Sequence, residues 1–276
     1  MADLILVRSK TTVTQAVIGR RVIGTLKNQQ WTAFGIELVI VVLGIFIGLR
    51  VSNWNQERAA DEQAAKFAER LKSDLREEDW AYQLQITYNR EVLANAERAA
   101  SALEGKTSMS DESLLICTYR ATQYKQRLRR RSTYDELIST GTIGLIRDQT
   151  LRDTAMRVYN IPTIDNTVRE GMQSRYREAF RMSVANDVQR ALGKQCGDHY
   201  IETGDYTAIT GSLDYPCTTG LPEQAIVEAA KALRSNSDLL PLLRLRIADI
   251  ETRLVDLTNN NRTILDNLRA VATEKP

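Results

Sequence analysis

Apolar residues recur at helical spacing along most of this chain and crowd together only once, between Trp31 and Arg58. Leu38 to Leu49 is twelve residues without a charge. Adding Trp31–Ile36 and Val51 gives about 21 apolar-rich residues, interrupted only by Glu37 and Arg50. As a helix that is roughly 31 Å, about the thickness of a bilayer's hydrocarbon core. Residues 31–52 therefore read as one transmembrane helix. A buried core helix is the competing reading. Against it stand the bracketing Trp31 and Trp54, the valines and isoleucines on all faces, and the lack of any other segment as apolar to form a core with. After the run, Arg50-Val51-Ser52-Asn53-Trp54 lacks a small-x-small cleavage pattern, so the segment reads as an uncleaved anchor and not a signal peptide.

Beyond the anchor the pattern stays helical. Phe67, Leu71, Leu75, Tyr82, Ile86, Leu93, Ala96, Ala100 and Leu103 keep one apolar face over ten turns of a helix covering 56–103, with Gly105 as its stop. No proline separates this helix from the anchor, so the two are expected to be continuous over about 80 Å. A second helix is expected over 111–130, opening on Ser110. Overlapping capping-box patterns, Ser132-x-x-Asp135 and Thr133-x-x-Glu136, start a third. Gly141 and Gly144 break it before a helix over 147–159, and a long helix over 163–192 follows Pro162.

From Gly193 to Pro222 the composition turns to Gly, Asp, Thr and Tyr. Tyr200–Glu202 and Tyr206–Ile209 predict a short hairpin in this insertion, with Cys196 and Cys217 near its ends. In an exported domain a bridge between them closes a loop of about 22 residues and stabilises by roughly 3 kcal/mol. In a cytosolic one they would be two free thiols. Cys117, on the second helix, reads as a small buried hydrophobe. Toward the C-terminus Leu240, Leu243, Ile247, Ile250, Leu254, Leu257, Asn261, Ile264 and Leu268 alternate three- and four-residue steps. That is a heptad seam, continuous from Leu243 to Leu268, with one Asn at a core position. Antiparallel packing on helix 56–103 within the chain is the expected use, and oligomerisation the alternative. Residues 273–276 read as a frayed tail.

Charge sets topology. Arg8, Lys10, Arg20, Arg21 and Lys27 precede the anchor against one acid, Asp3, whereas Arg58, Lys66 and Arg70 after it are diluted by Glu57, Asp61, Glu62 and Glu69. The positive-inside rule then puts residues 1–30 in the cytoplasm and residues 53–272 on the exported, periplasmic side of a bacterial inner membrane. The first thirty residues form either a basic amphipathic helix on the anionic leaflet or a tail that only sets topology. Lys and Arg total 37 against 35 acids, a net charge of +2, which argues against nucleic acid or another polyanion as partner. Five prolines and 14 glycines in 276 residues leave little room for disordered linker.

The anchor also carries a family resemblance. Glu37, the apolar run to Gly48, then Asn53-Trp54-Asn55 and Gln56-Glu57-Arg58 resemble an uncharacterised bacterial single-pass membrane-protein family, whose members begin with one helix ending in an Asn-Trp-Asn-Glu signature. Gln56 stands where an acid is common. Tyr134–Leu137 through Gly141, Gly144–Asp148, Leu151 and Tyr159 is similar to a later stretch of that family. The resemblance implies a bacterial membrane protein with a mostly helical domain. It brings no activity and no functional residues.

Candidate chemistry is sparse. The single histidine, His199, lies in Cys196-Gly-Asp-His199; with Cys217 it offers three ligands, one short of a tetrahedral zinc site, so no metal is expected. No nucleophile elbow, phosphate loop or dinucleotide fingerprint occurs, and neither catalytic residues nor cofactors are assigned. Glu77-Glu78-Asp79 reads as a solvated helix face, and Asp198, Asp205 and Asp214 lack calcium-loop spacing. Lys125, Arg127, Arg129, Arg130 and Arg131 read as cations at a helix C-terminus, with an anionic head group or acidic partner as the alternative. Glu37, Gly44, Gly48 and Asn55 share one stripe of the anchor, joined by Val41 and Ser52. The Gly44-x-x-x-Gly48 step suits close approach of a second helix, from another membrane protein or another copy. The sequence thus predicts an all-α, single-pass membrane protein with an elongated helical bundle and a disulfide-closed hairpin insertion. Its expected role is interaction or scaffolding without enzymatic activity; the alternative is an exported small-molecule sensor signalling through a membrane partner.

Overall fold

The computed structural model describes residues 14–274, with side chains from Trp31 onward. The chain divides into two units, Met1–Gln63 and Ala64–Pro276. One helix, α1 (Thr14–Leu103), contributes to both. In the first unit every described side chain from Trp31 to Gln63 is exposed. The expected basic helix of residues 1–30 and the end of the tail lie outside what is described at side-chain level.

The second unit is all-α, with no strand among the described residues. It contains α2 (Asp111–Ala121), α3 (Ser132–Ser139), α4 (Gln149–Asn160), α5 (Thr163–Met172), α6 (Arg175–Ser183), α7 (Asn186–Gln195), α8 (Glu223–Ser235), α9 (Leu239–Val255) and α10 (Arg262–Thr273). Its axis is the last part of α1, around which the shorter helices pack. One side of that axis carries Phe67, Leu71, Leu75, Tyr82 and Ile86 and meets Leu137, Leu151, Val158 and Leu268. A second side, Trp80, Leu84, Tyr88 and Val92, covers Ile201, Leu213 and Ile250. Farther along, Ala96 and Ala100 on the first side and Ala99 on the second pack against Leu115, Phe180, Leu192 and Leu243. The axis therefore buries far more than the single face its 3.6-residue period predicted, because Trp80, Leu84, Tyr88 and Val92 form an independent i, i+4 row on the opposite side. Gly105, with φ of 72°, takes the left-handed conformation that ends α1.

The C-terminal seam packs within the chain. Leu243, Ile250, Leu257, Ile264 and Leu268 are all buried, and ion pairs fix the antiparallel direction: Arg244 with Glu104 at 2.6 Å, and Lys72 with Glu274 at 2.9 Å. A π turn at Asp256–Asn260 separates α9 from α10 and resets the register, so that Leu265 joins Ile264 in the core. Asn261, at the predicted core position, donates to Asp256 O at 2.9 Å and to Thr163 Oγ1 at 3.3 Å.

The expected elements need correction in three places. The helix opening on Ser110 ends at Ala121, and residues 123–131 run on without regular structure. Residues 163–192 form three helices: the chain breaks at Ser174 and at Val184, whose φ and ψ of −110° and 132° are extended. The insertion at 193–222 is closed by a disulfide between Cys196 and Cys217, as expected, but its arms make turns and not paired strands. Its backbone donors are taken by side chains of the bundle.

Candidate functional site

The described residues include one helix long and apolar enough to cross a membrane, and none of its apolar window is buried. Phe34, Ile40, Phe46 and Ile47 are each more than 60% exposed, which in water would be an apolar surface far beyond what folded domains tolerate. The stripe residues Glu37, Gly44, Gly48 and Asn55 stand exposed on this helix with the others. A Cβ added at Gly44 or Gly48 meets nothing within 4 Å, so neither glycine serves packing inside the chain.

In the second unit the cations Lys125–Arg131 belong to an extended strap and not to a helix end. Arg129 pairs with Glu78 at 3.0 Å and donates to Val158 O; Glu78 also accepts from Arg130 N. Arg130 and Arg127 both reach Glu77, and the Arg127 guanidinium lies 4.4 Å over the Trp80 ring. Lys125 pairs with Asp198 and Gln85 donates to Lys125 O, while Arg131 pairs with Asp135. Glu78 and Asp79 are only 2% and 3% exposed, so the acidic triplet is not a solvated face: Glu77 and Glu78 meet the strap, and Asp79 accepts from Tyr206 Oη of the insertion. Two-residue spacing of Lys125, Arg127 and Arg129 was the sequence signal for an extended segment, since alternate side chains of an extended chain share a face. Leu128, on the other face, is 92% exposed. Near the strap's end, Thr133 N donates to Asp74 Oδ2, so a carboxylate from α1 serves the start of α3 in place of its own Ser132 or Thr133 side chain.

The insertion is fastened from the same axis. Glu91 accepts from the backbone N–H groups of Gly211, Leu213 and Asp214 at 2.5, 2.8 and 3.0 Å. Arg120, buried on α2, donates to Cys196 O and Tyr215 O, pairs with Asp214, and stacks 4.7 Å over the Tyr215 ring. Arg98 also pairs with Asp214, at 2.6 Å. Glu112 accepts from Thr219 N and Oγ1, and these bonds hold its carboxyl below the usual range. His199 stacks on Tyr215 at 3.8 Å beside the disulfide, and Asp198 accepts from Tyr88 Oη. No group of three or more His, Cys, Asp or Glu among the described residues could hold a metal ion. Cys117 is buried and its thiol is pushed up by that burial, consistent with a packing role. The importance of Glu91 and Arg120 was not legible in sequence, because both act on backbone about 100 residues away.

Comparison with protein-family models, with curated proteins and with solved structures returns no match.

Proposed function

We propose that this chain is a bacterial inner-membrane protein with one anchor helix, a cytoplasmic N-terminus and a periplasmic helical domain spanning residues 53–272, serving as a non-enzymatic interaction or scaffold subunit. The observation that carries the reading is the uncovered apolar surface from Trp31 to Trp54, which only lipid or another membrane helix can cover. The Cys196–Cys217 bridge supports export, because structural disulfides persist in oxidising compartments. The asymmetry of Lys and Arg about the anchor supports the orientation. The resemblance to the family with the Asn-Trp-Asn-Glu signature agrees, and rests on the residues quoted for it.

The partner is met in the bilayer along Glu37, Gly44, Gly48 and Asn55, where glycines allow close approach and Glu37 prefers a polar neighbour to lipid. It is a second copy or a different membrane protein. Crosslinking within membranes tests this: Gly44→Ile and Glu37→Leu reduce the crosslinked product, whereas Ile45→Leu, off the stripe, leaves it unchanged. Equal crosslinking by all three would make the anchor a tether only. Orientation is read by an impermeant thiol reagent on Ser108→Cys, which sits on the exposed loop after α1. Labelling in intact spheroplasts is expected; labelling only after lysis reverses the topology. A sensor role is the second reading, favoured by an open cleft in the second unit that Arg177, Arg181 and Arg190 line.

A further inference from the structure

Many arginines of the second unit pair with a carboxylate; three that meet in one cleft do not. Arg177 and Arg181 on α6 and Arg190 on α7 line an open cavity of about 320 Å³. Among the described residues none of the three makes an ion pair; Arg177 stacks 4.9 Å over the Tyr124 ring, and Arg181 and Arg190 are exposed. Arg177 and Arg181 stand four residues apart on one helix, an arrangement that like charges disfavour. The acids on these helices, Glu178 and Asp187, do not line the cavity. Folding has therefore gathered three cations on one concavity without neutralising them.

The rest of the lining is built for hydrogen bonding. Phe180, buried at the base, lies 6.2 Å from the Tyr119 ring. Gln189 is committed to the walls, donating to Arg181 O and Val184 O at 2.9 and 2.7 Å. The Asn186 amide and the Tyr119 hydroxyl make no hydrogen bond among the described residues and remain as donors. Asn186 also opens α7, whose preceding residue, Ala185, supplies no side-chain cap, so first-turn N–H groups and the positive end of the helix dipole add to the same side.

We propose that this cleft binds a phosphate-bearing anion, free or as a phospholipid head group. Three guanidiniums with an amide and a hydroxyl offer more donors than the two oxygens of one carboxylate accept, whereas a phosphate or pyrophosphate presents enough oxygens to engage several forks at once. The cleft lies wholly within the second unit, and the inference stands independently of the anchor stripe.

The test uses the full chain in uncharged detergent micelles, with inorganic pyrophosphate titrated by calorimetry. Pyrophosphate is expected to bind the parent, and at least tenfold more weakly the double variant Arg181→Gln/Arg190→Gln, whose two sites are exposed and leave the helical spectrum unchanged. Arg157→Gln, an exposed arginine outside the cleft, should bind like the parent. In a second arm the chain is extracted with phosphatidylglycerol present and retained lipid is read by native mass spectrometry. Lipid retained by the parent and lost from the double variant, with no pyrophosphate binding, assigns the head group as the source; pyrophosphate binding without lipid retention assigns a free anion. Tighter binding of citrate than of pyrophosphate overturns the phosphate assignment. Absence of both ligands from the parent, or equal binding by the double variant, overturns the site.

Discussion

Glu91 shows how one side chain can organise a segment that has no regular structure. Its carboxylate takes three successive-region N–H groups of the insertion, which would otherwise need a strand partner. Glu91→Ala leaves those donors without an acceptor and should lower stability by about 2–4 kcal/mol, read from urea midpoints. Cys217→Ser tests the other fastening: opening the loop should remove about 3 kcal/mol on the chain-entropy estimate, and reductant should do the same to the parent but nothing to the variant. Gly197 is fixed by space, since a Cβ there would lie 2.4 Å from Gly193 O, a backbone atom that cannot step aside. The cysteine pair was legible from spacing and composition. Glu91 was not, because an acid on a helix has the same local pattern whether it faces water or a distant loop.

At the scale of elements the strap at 123–131 is the feature that tertiary context created. Its five cations meet Glu77, Glu78, Asp135 and Asp198, and the Arg129–Glu78 pair is the most buried of them, with side chains 11% and 3% exposed. Removing one partner of such a pair strands a charge, so Glu78→Ala should cost about 3–5 kcal/mol, while Glu78→Gln with Arg129→Met should cost much less. Leu128→Ser, on the exposed face, should stay within about 0.5 kcal/mol. Chemical denaturation of the four proteins gives the comparison; equal losses for Glu78→Ala and Leu128→Ser would mean that the strap is not anchored through Glu78. The seam on α9 and α10 behaves in the opposite way. Its heptad pattern was plain in the sequence, antiparallel packing on α1 of the same chain was its expected use, and the structure shows that packing in place of oligomerisation.

For the molecule as a whole, buried tyrosines set the alkaline limit. Burial pushes the hydroxyl of Tyr82 up to about 12, and burial also raises Tyr88, Tyr159 and Tyr176, with the Asp198 charge adding to the rise at Tyr88. Each folded value lies above the ordinary value near 10, so the unfolded chain loses these protons first. The contribution is therefore complete below about pH 10 and is lost as pH rises through the folded values, at about 1.4 kcal/mol per pH unit for each group. Stability measured by thermal unfolding should be flat to about pH 9 and fall steeply above 10, with the last of the ten tyrosines ionising only together with the loss of helix. Ionisation of all ten tyrosines near pH 10 while the helix persists would show these side chains to be open to water.

What the sequence determined by itself was what short-range pattern carries: the long apolar helix, the helical period, the cap at Ser110, the stop at Gly105 and the cysteine pair. Each depends on residues within a few turns of one another, or on an apolar density that no neighbour alters. What only the tertiary structure decided was which polar groups are buried and against what. Glu78, Asp79, Arg120 and the strap are charged residues on a chain of nearly balanced charge, and local sequence gives the same letters for a solvated ion as for one half of an internal pair. Those choices follow from wrapping the shorter helices and the insertion around one axis, which brings together residues 50 to 120 positions apart.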